Sequence, residues 1–230
     1  MAESTGGGAA TGSGSAPQQH AFGYLTQPEV LFLDAAVARL IPADDLGPGA
    51  KEADVTYFID QQLVSSWGTH GRNYRMGPWL EGTPQQGFQS PLTPQEIYRA
   101  AIRETNIYCT KQYGKAFHLL TEAQQDEILH ALEADKVELE SLSSKLFFGM
   151  LWRNTQEGFF SDPMYGGNRD KVGWKLIGFP GVAASNYSEH MEKHNVPYRV
   201  EPVSILDIRE GRVKVDAQGY PKHVPLGGKK

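Results

Sequence analysis

Cysteine is almost missing: there is one, Cys109, in 230 residues. A lone thiol excludes an internal disulfide, a cysteine-rich zinc site and an iron–sulfur cluster. No Cys-x-x-Cys-His occurs, so no haem is attached covalently to this chain. Nothing near Cys109 in sequence would activate it. It reads as a helix residue, or as a bridge to a second chain. No apolar run approaches the ~20 residues that a membrane-spanning helix needs. Clustered Lys and Arg are lacking, and the net charge is −5. That argues against a nucleic-acid surface, which needs concentrated cations to displace counterions. No Gly-x-Gly-x-x-Gly follows a strand-like run, so neither a dinucleotide fold nor a P-loop is supported. A Gly-x-Ser-x-Gly nucleophile elbow and internal repeats are also missing. Glu138 and Glu140 read as a charged helix face rather than a catalytic pair.

Apolar residues make up 40% of the chain and aromatics 10%, enough for a core. The 14 Pro and 25 Gly gather outside the periodic stretches. Residues 1–19 are mostly Gly, Ser, Ala and Thr, and residues 1–23 are expected to be a flexible leader. Thr26-x-x-Glu29 is a capping box, and Phe32, Leu33, Ala36, Val37 and Leu40 follow at helical spacing. Ile41-Pro42 ends that helix. Val55, Phe58, Ile59 and Leu63 mark a second. Thr93-Pro94-Gln95-Glu96 joins a capping box to a proline at the first helical position. The helix it opens runs to Tyr113, with Tyr98, Ala101, Ile102, Thr105 and Cys109 on one face. Thr121-x-x-Gln124 caps a helix bearing Ile128, Leu129 and Leu132. A further helix is expected from about Ser141 toward Gln156.

Two stretches lack a period. Residues 65–90 scatter Trp67, Tyr74, Trp79 and Phe88 among glycines and prolines, and loops of that length are usually functional or held by a partner. Residues 199–216 alternate weakly. They fit a short β-hairpin turning at Glu210-Gly211, or an extended arm lying on another chain. His190-x-x-x-His194 has a metal-like spacing, but Met191 stands where a zinc protease has Glu, and no third ligand is evident. A self-contained metal enzyme using His190 and His194 is the alternative this pair keeps open.

The densest segment is Gly158-Phe159-Phe160-Ser161-Asp162-Pro163-Met164-Tyr165-Gly166-Gly167-Asn168-Arg169-Asp170, followed by Val172-Gly173-Trp174-Lys175-Leu176-Ile177-Gly178-Phe179-Pro180-Gly181. Its turn chemistry is strong at Asp162-Pro163 and Gly166-Gly167-Asn168. Its aromatics and Arg are the residue types that carry interface energy, though the same rings could serve as ordinary core. The segment resembles the signature of the gluconate 2-dehydrogenase small-subunit family, also called subunit 3 or gamma. The likeness is specific in this segment and the helix before it, and looser over 26–113.

The resemblance implies a mainly α protein: a single helical domain over 24–195, including a signature loop at 158–181, with long irregular loops and an extended tail at 196–230. It implies a noncatalytic subunit, with no catalytic, cofactor or metal residues on this chain. FAD would sit on a large dehydrogenase subunit and haem c on a multihaem cytochrome c subunit. The complex, a heterotrimer, would oxidise gluconate or, in related branches, 2-ketogluconate, fructose, sorbitol or glucose. It would be periplasmic and attached to the inner membrane, with this chain helping to export the FAD subunit. The family typically carries a twin-arginine signal, which is not present here. It would be missing if the numbering is that of a mature form, or if another subunit carries the export signal. The residues expected to touch the large subunit are Phe160, Tyr165, Asn168, Arg169, Trp174 and Phe179.

Overall fold

Three helices start at the capping boxes written in the sequence. The Glu29 carboxylate accepts from the Thr26 N–H at 2.7 Å and opens α1, Gln27–Leu40. Thr93 and Glu96 exchange side-chain and backbone bonds and open α3, Pro94–Tyr113. Thr121 and Gln124 do the same for α4, Glu122–Glu133. Each box satisfies N–H groups that the first helical turn leaves without partners. Helix α2 spans Val55–Val64 and α5 spans Ser144–Phe160. Two short helices follow, α6 at Val172–Ile177 and α7 at Ile205–Arg209. The computed structural model describes residues 20–71, 73–80, 82–86, 89–182 and 193–226. The described chain is mainly helical, and its extended pairing is confined to isolated bridges.

Helix α5 is the hub, packed against α4, α2, α3 and α1. Phe32 of α1 meets Phe117 at 4.6 Å and Phe147 of α5 at 6.3 Å between ring centres. Tyr98 of α3 stands edge-on to Phe147. It is fully buried, and its hydroxyl donates to Asn154 Oδ1 at 2.7 Å, so the phenol keeps its hydrogen bond inside the core. Cys109 is buried in the same core.

The chain enters along a strap. Asp60 of α2 is wholly buried, and its carboxylate accepts the N–H groups of Gly23, Tyr24 and Leu25 at 2.8–2.9 Å. His20 stacks on Tyr57 at 4.0 Å and bonds Asp54. Arg99 lies over the Tyr24 ring and pairs with Glu29. Burial alone would raise the Glu29 carboxyl. The Arg99 guanidinium and the Thr26 N–H and hydroxyl outweigh it and hold the group below its ordinary value. Residues 20–23, expected within the leader, are therefore fastened to the helical domain.

The tail differs most from expectation. No hairpin turns at Glu210-Gly211. Instead Ser204 and Asp207 cap each other and open α7. The signal was a Ser-x-x-Asp box hidden within the weak alternation of valines and isoleucines. The reversal comes later, where Asp216 Oδ1 accepts from the N–H groups of Gln218 and Tyr220 and Gly219 takes φ 87. Beyond it residues 224–226 pair back on 199–201.

Candidate functional site

The signature segment is not one irregular loop. Helix α5 runs through Gly158 and Phe159 to Phe160, two 3-10 turns follow, and α6 begins at Val172. Several of its glycines mark close approaches. A Cβ on Gly158 would stand 2.8 Å from the Phe58 ring, on Gly167 2.3 Å from the Gly158 carbonyl oxygen, and on Gly173 2.1 Å from the Phe159 carbonyl oxygen. The end of α5, the turn and the start of α6 thus share one close-packed junction with α2.

Polar side chains stitch that junction. Asn168 is fully buried at φ 50, a left-handed conformation that Asn tolerates better than most residues. Its amide donates to the Ser161 carbonyl at 2.8 Å, and its Oδ1 accepts from the Gly173 N–H at 2.9 Å. Trp174 is buried as well, and its indole N–H donates to the Phe160 carbonyl at 2.7 Å. These bonds satisfy carbonyls freed at the end of α5. The Arg169 N–H donates to the Ala53 carbonyl, and its guanidinium stands 3.4 Å from Asp54, which also holds His20. Asp162 caps the first 3-10 turn and accepts the Ile205 N–H at 2.7 Å with its other oxygen.

The tail is part of the same construction. Lys171 and Asp207 form a buried ion pair at 2.9 Å. Burial would raise the Asp207 carboxyl, but the Lys171 ammonium and the Ser204 N–H and hydroxyl overcome it and hold the group below its ordinary 3.8. Val203 exchanges main-chain bonds with Pro180 and Val182. A Cβ on Gly181 would lie 2.0 Å from the Val203 oxygen. The upstream part of the tail is therefore ordered by its own domain. It is not an arm awaiting another chain, because a buried charge pair and a capped helix fix it in place.

The six residues expected at a partner interface divide accordingly. Phe160, Tyr165 and Phe179 are 39–50% exposed. Asn168 and Trp174 are corrected to internal struts, since neither presents surface. Arg169 is mostly covered and spends its donors on Ala53 and Asp54, just before α2. Sequence reading missed Leu176 and Ile177, exposed at 47% and 61%. The missed signal for Leu176 was helical spacing, which turns it away from the buried Trp174 two positions earlier; Ile177 shares the angular position of Gly173 and is exposed because α6 ends there, just before Gly178. Helix α6 is a ridge between two grooves. One is lined by Leu40, Ile41, Pro42, Leu46 and Phe159, the other by Pro197, Tyr198, Val200, Pro202 and Leu226, and Lys175 and Leu176 border both. Exposed apolar side chains on the ridge, with Asp44, Lys175 and Arg199 along the grooves, suit docking of a mixed protein surface. Among the described residues no group of three or more His, Cys, Asp or Glu could hold a metal ion. His190 lies outside the described residues, and His194 is exposed. No helix of the described chain is long and apolar enough to cross a membrane.

The profile of one protein family, gluconate 2-dehydrogenase subunit 3, matches residues 27–181, a span that starts at α1 and ends at the last glycine of the signature segment. The match covers more than half of the chain, and the chain belongs to that family. Comparison with curated proteins and with solved structures finds no match. As a subunit-3 protein the chain is a component of a multi-subunit dehydrogenase.

Proposed function

We propose that this chain is the noncatalytic small subunit of a flavoprotein dehydrogenase complex, with gluconate 2-dehydrogenase as the first candidate. In this reading FAD is bound by a large partner subunit and haem c by a cytochrome subunit. The complex is periplasmic and attached to the inner membrane, and this chain clasps the large subunit and helps it to be exported folded. Substrate choice, whether gluconate, 2-ketogluconate, fructose, sorbitol or glucose, belongs to the large subunit.

The observation that carries the reading is the division within the family-matched segment. Gly158, Gly167, Gly173, Gly181, Asn168 and Trp174 are turned inward and fix the backbone. Phe160, Tyr165, Leu176, Ile177 and Phe179 are displayed outward on that fixed frame. Aromatic and aliphatic groups on a rigid backbone lose little freedom on binding, which favours a protein interface.

The test is to look for an FAD-motif protein in the neighbouring reading frames and to co-express it with this chain. The two should copurify, with flavin on the large subunit alone. The Tyr165→Ser, Leu176→Ser, Ile177→Ser triple variant should melt close to the wild type yet bind at least about tenfold more weakly. An unchanged complex would remove this face from the interface. Stoichiometric flavin on the isolated wild-type chain would overturn the noncatalytic reading.

A further inference from the structure

The segment between α2 and α3 carries a second exposed apolar set, remote in sequence from the signature. Tyr74 is 86% exposed, Leu80 71% and Met76 68%, and Trp79 is half-exposed beside them. Their display is braced. The Arg75 guanidinium lies 5.5 Å from the centre of the Trp79 ring and donates to the carbonyls of Ser90 and Pro91 at the far end of the loop. At the near end the Gly71 N–H donates to the Ser66 carbonyl and the Asn73 N–H to the His70 carbonyl. A Cβ on Gly68 would collide with the Leu63 carbonyl at 1.8 Å, so the base of the loop is pressed onto α2. The loop is anchored at both ends while its apolar side chains face solvent.

We propose that Tyr74–Leu80 is a second docking element, one that inserts into an apolar cleft of a protein partner whose main chain bonds to it. The proposal rests on the subunit reading above and takes the large dehydrogenase subunit as that partner.

Two features select a protein over a lipid surface. From Tyr74 to Leu80 the backbone forms no hydrogen bond with the backbone of another described residue. Hydrocarbon cannot satisfy such groups, whereas another polypeptide can pair with them strand to strand. Arg75 is the sole charged residue of 73–80, and its guanidinium is engaged within the loop. Within 73–80 it leaves no free cation to meet anionic headgroups.

Area selects a different chain over a second copy. Four such side chains offer on the order of 500 Å². A stable two-fold pair needs about 800 Å² from each partner. A projecting loop of this size works as an anchor that is joined by a further contact with the same partner.

The test uses the full chain in complex with the co-expressed large subunit. The Tyr74→Ser, Met76→Ser, Leu80→Ser variant should keep the wild-type melting temperature and raise Kd at least about 30-fold. In the wild-type complex, amide exchange at Tyr74–Leu80 should slow relative to the free chain. That measurement does not depend on how the variant folds. An unchanged Kd, or exchange that stays fast in the complex, would overturn the proposal and leave the subunit reading standing. Wild-type chain binding phosphatidylglycerol vesicles, with the binding lost in the variant, would assign the loop to lipid and also overturn it. A wild-type chain that forms no complex with the large subunit would overturn the subunit reading and this proposal together.

Discussion

Two glycines, one in α6 and one in α5, separate packing from mere occupancy. Gly173 has the Phe159 carbonyl where its Cβ would be, whereas Gly149 in mid-α5 has nothing within 4 Å. Gly173→Ala should therefore cost about 2 kcal/mol or more, because backbone must move. Gly149→Ala should be neutral or gain up to about 1 kcal/mol from helix propensity. Chemical denaturation of the two variants, measured side by side, checks both signs. Cys109 offers a different residue-level test. Burial pushes its thiol up to about 11, so at pH 8 it is both neutral and inaccessible. A thiol reagent should leave the native chain unlabelled and label it once unfolded. Rapid labelling of folded protein would show that α3 opens far more readily than its packing implies.

At the scale of elements, the strap over α2 hangs on one carboxylate. Asp60→Ala would leave three backbone N–H groups without their acceptor and should cost about 3 kcal/mol. Amide exchange at Gly23–Leu25 should accelerate far more than exchange in α5. Equal acceleration everywhere would mean that the strap is not a local unit. The starts of three helices could be read in the sequence because their signals are local. Thr26, Thr93 and Thr121 stand three residues before Glu or Gln, and apolar stripes follow. The end of α5 could not be read that way, since a glycine there suggests a stop. Gly158 is instead required by the Phe58 ring, which comes from a residue a hundred positions away in sequence. The start of α6 was hidden for a related reason. Lys171, just before it, has φ 58, and its ammonium is held by Asp207 of the tail. The six candidate contact residues lie in one segment, and a stretch without a period cannot tell Trp174 inward from Phe179 outward.

Taken whole, the molecule closes on itself through Lys171 and Asp207. Asp207 is held below its ordinary 3.8, so its contribution to stability is present above that pH and is lost as pH falls through the lower, folded value. Acidification should release residues 199–209 before the helical core. Asp207→Asn should free the same residues already at neutral pH, as read by amide exchange. Truncation after residue 196 should likewise lower the melting temperature rather than leave the helical domain unaffected, because it removes the partners of Lys171, Asp162 and Pro180. An unchanged melting temperature would show those links to be dispensable. The inward turn of Asn168, Trp174 and the glycines also bears on kinship. A signature made of struts records ancestry of architecture and is silent about company. Chains that keep those struts and exchange Tyr165, Leu176 and Ile177 for other side chains would inherit the scaffold while acquiring different allegiances. The address of each one's partner would be written only in the positions that face outward.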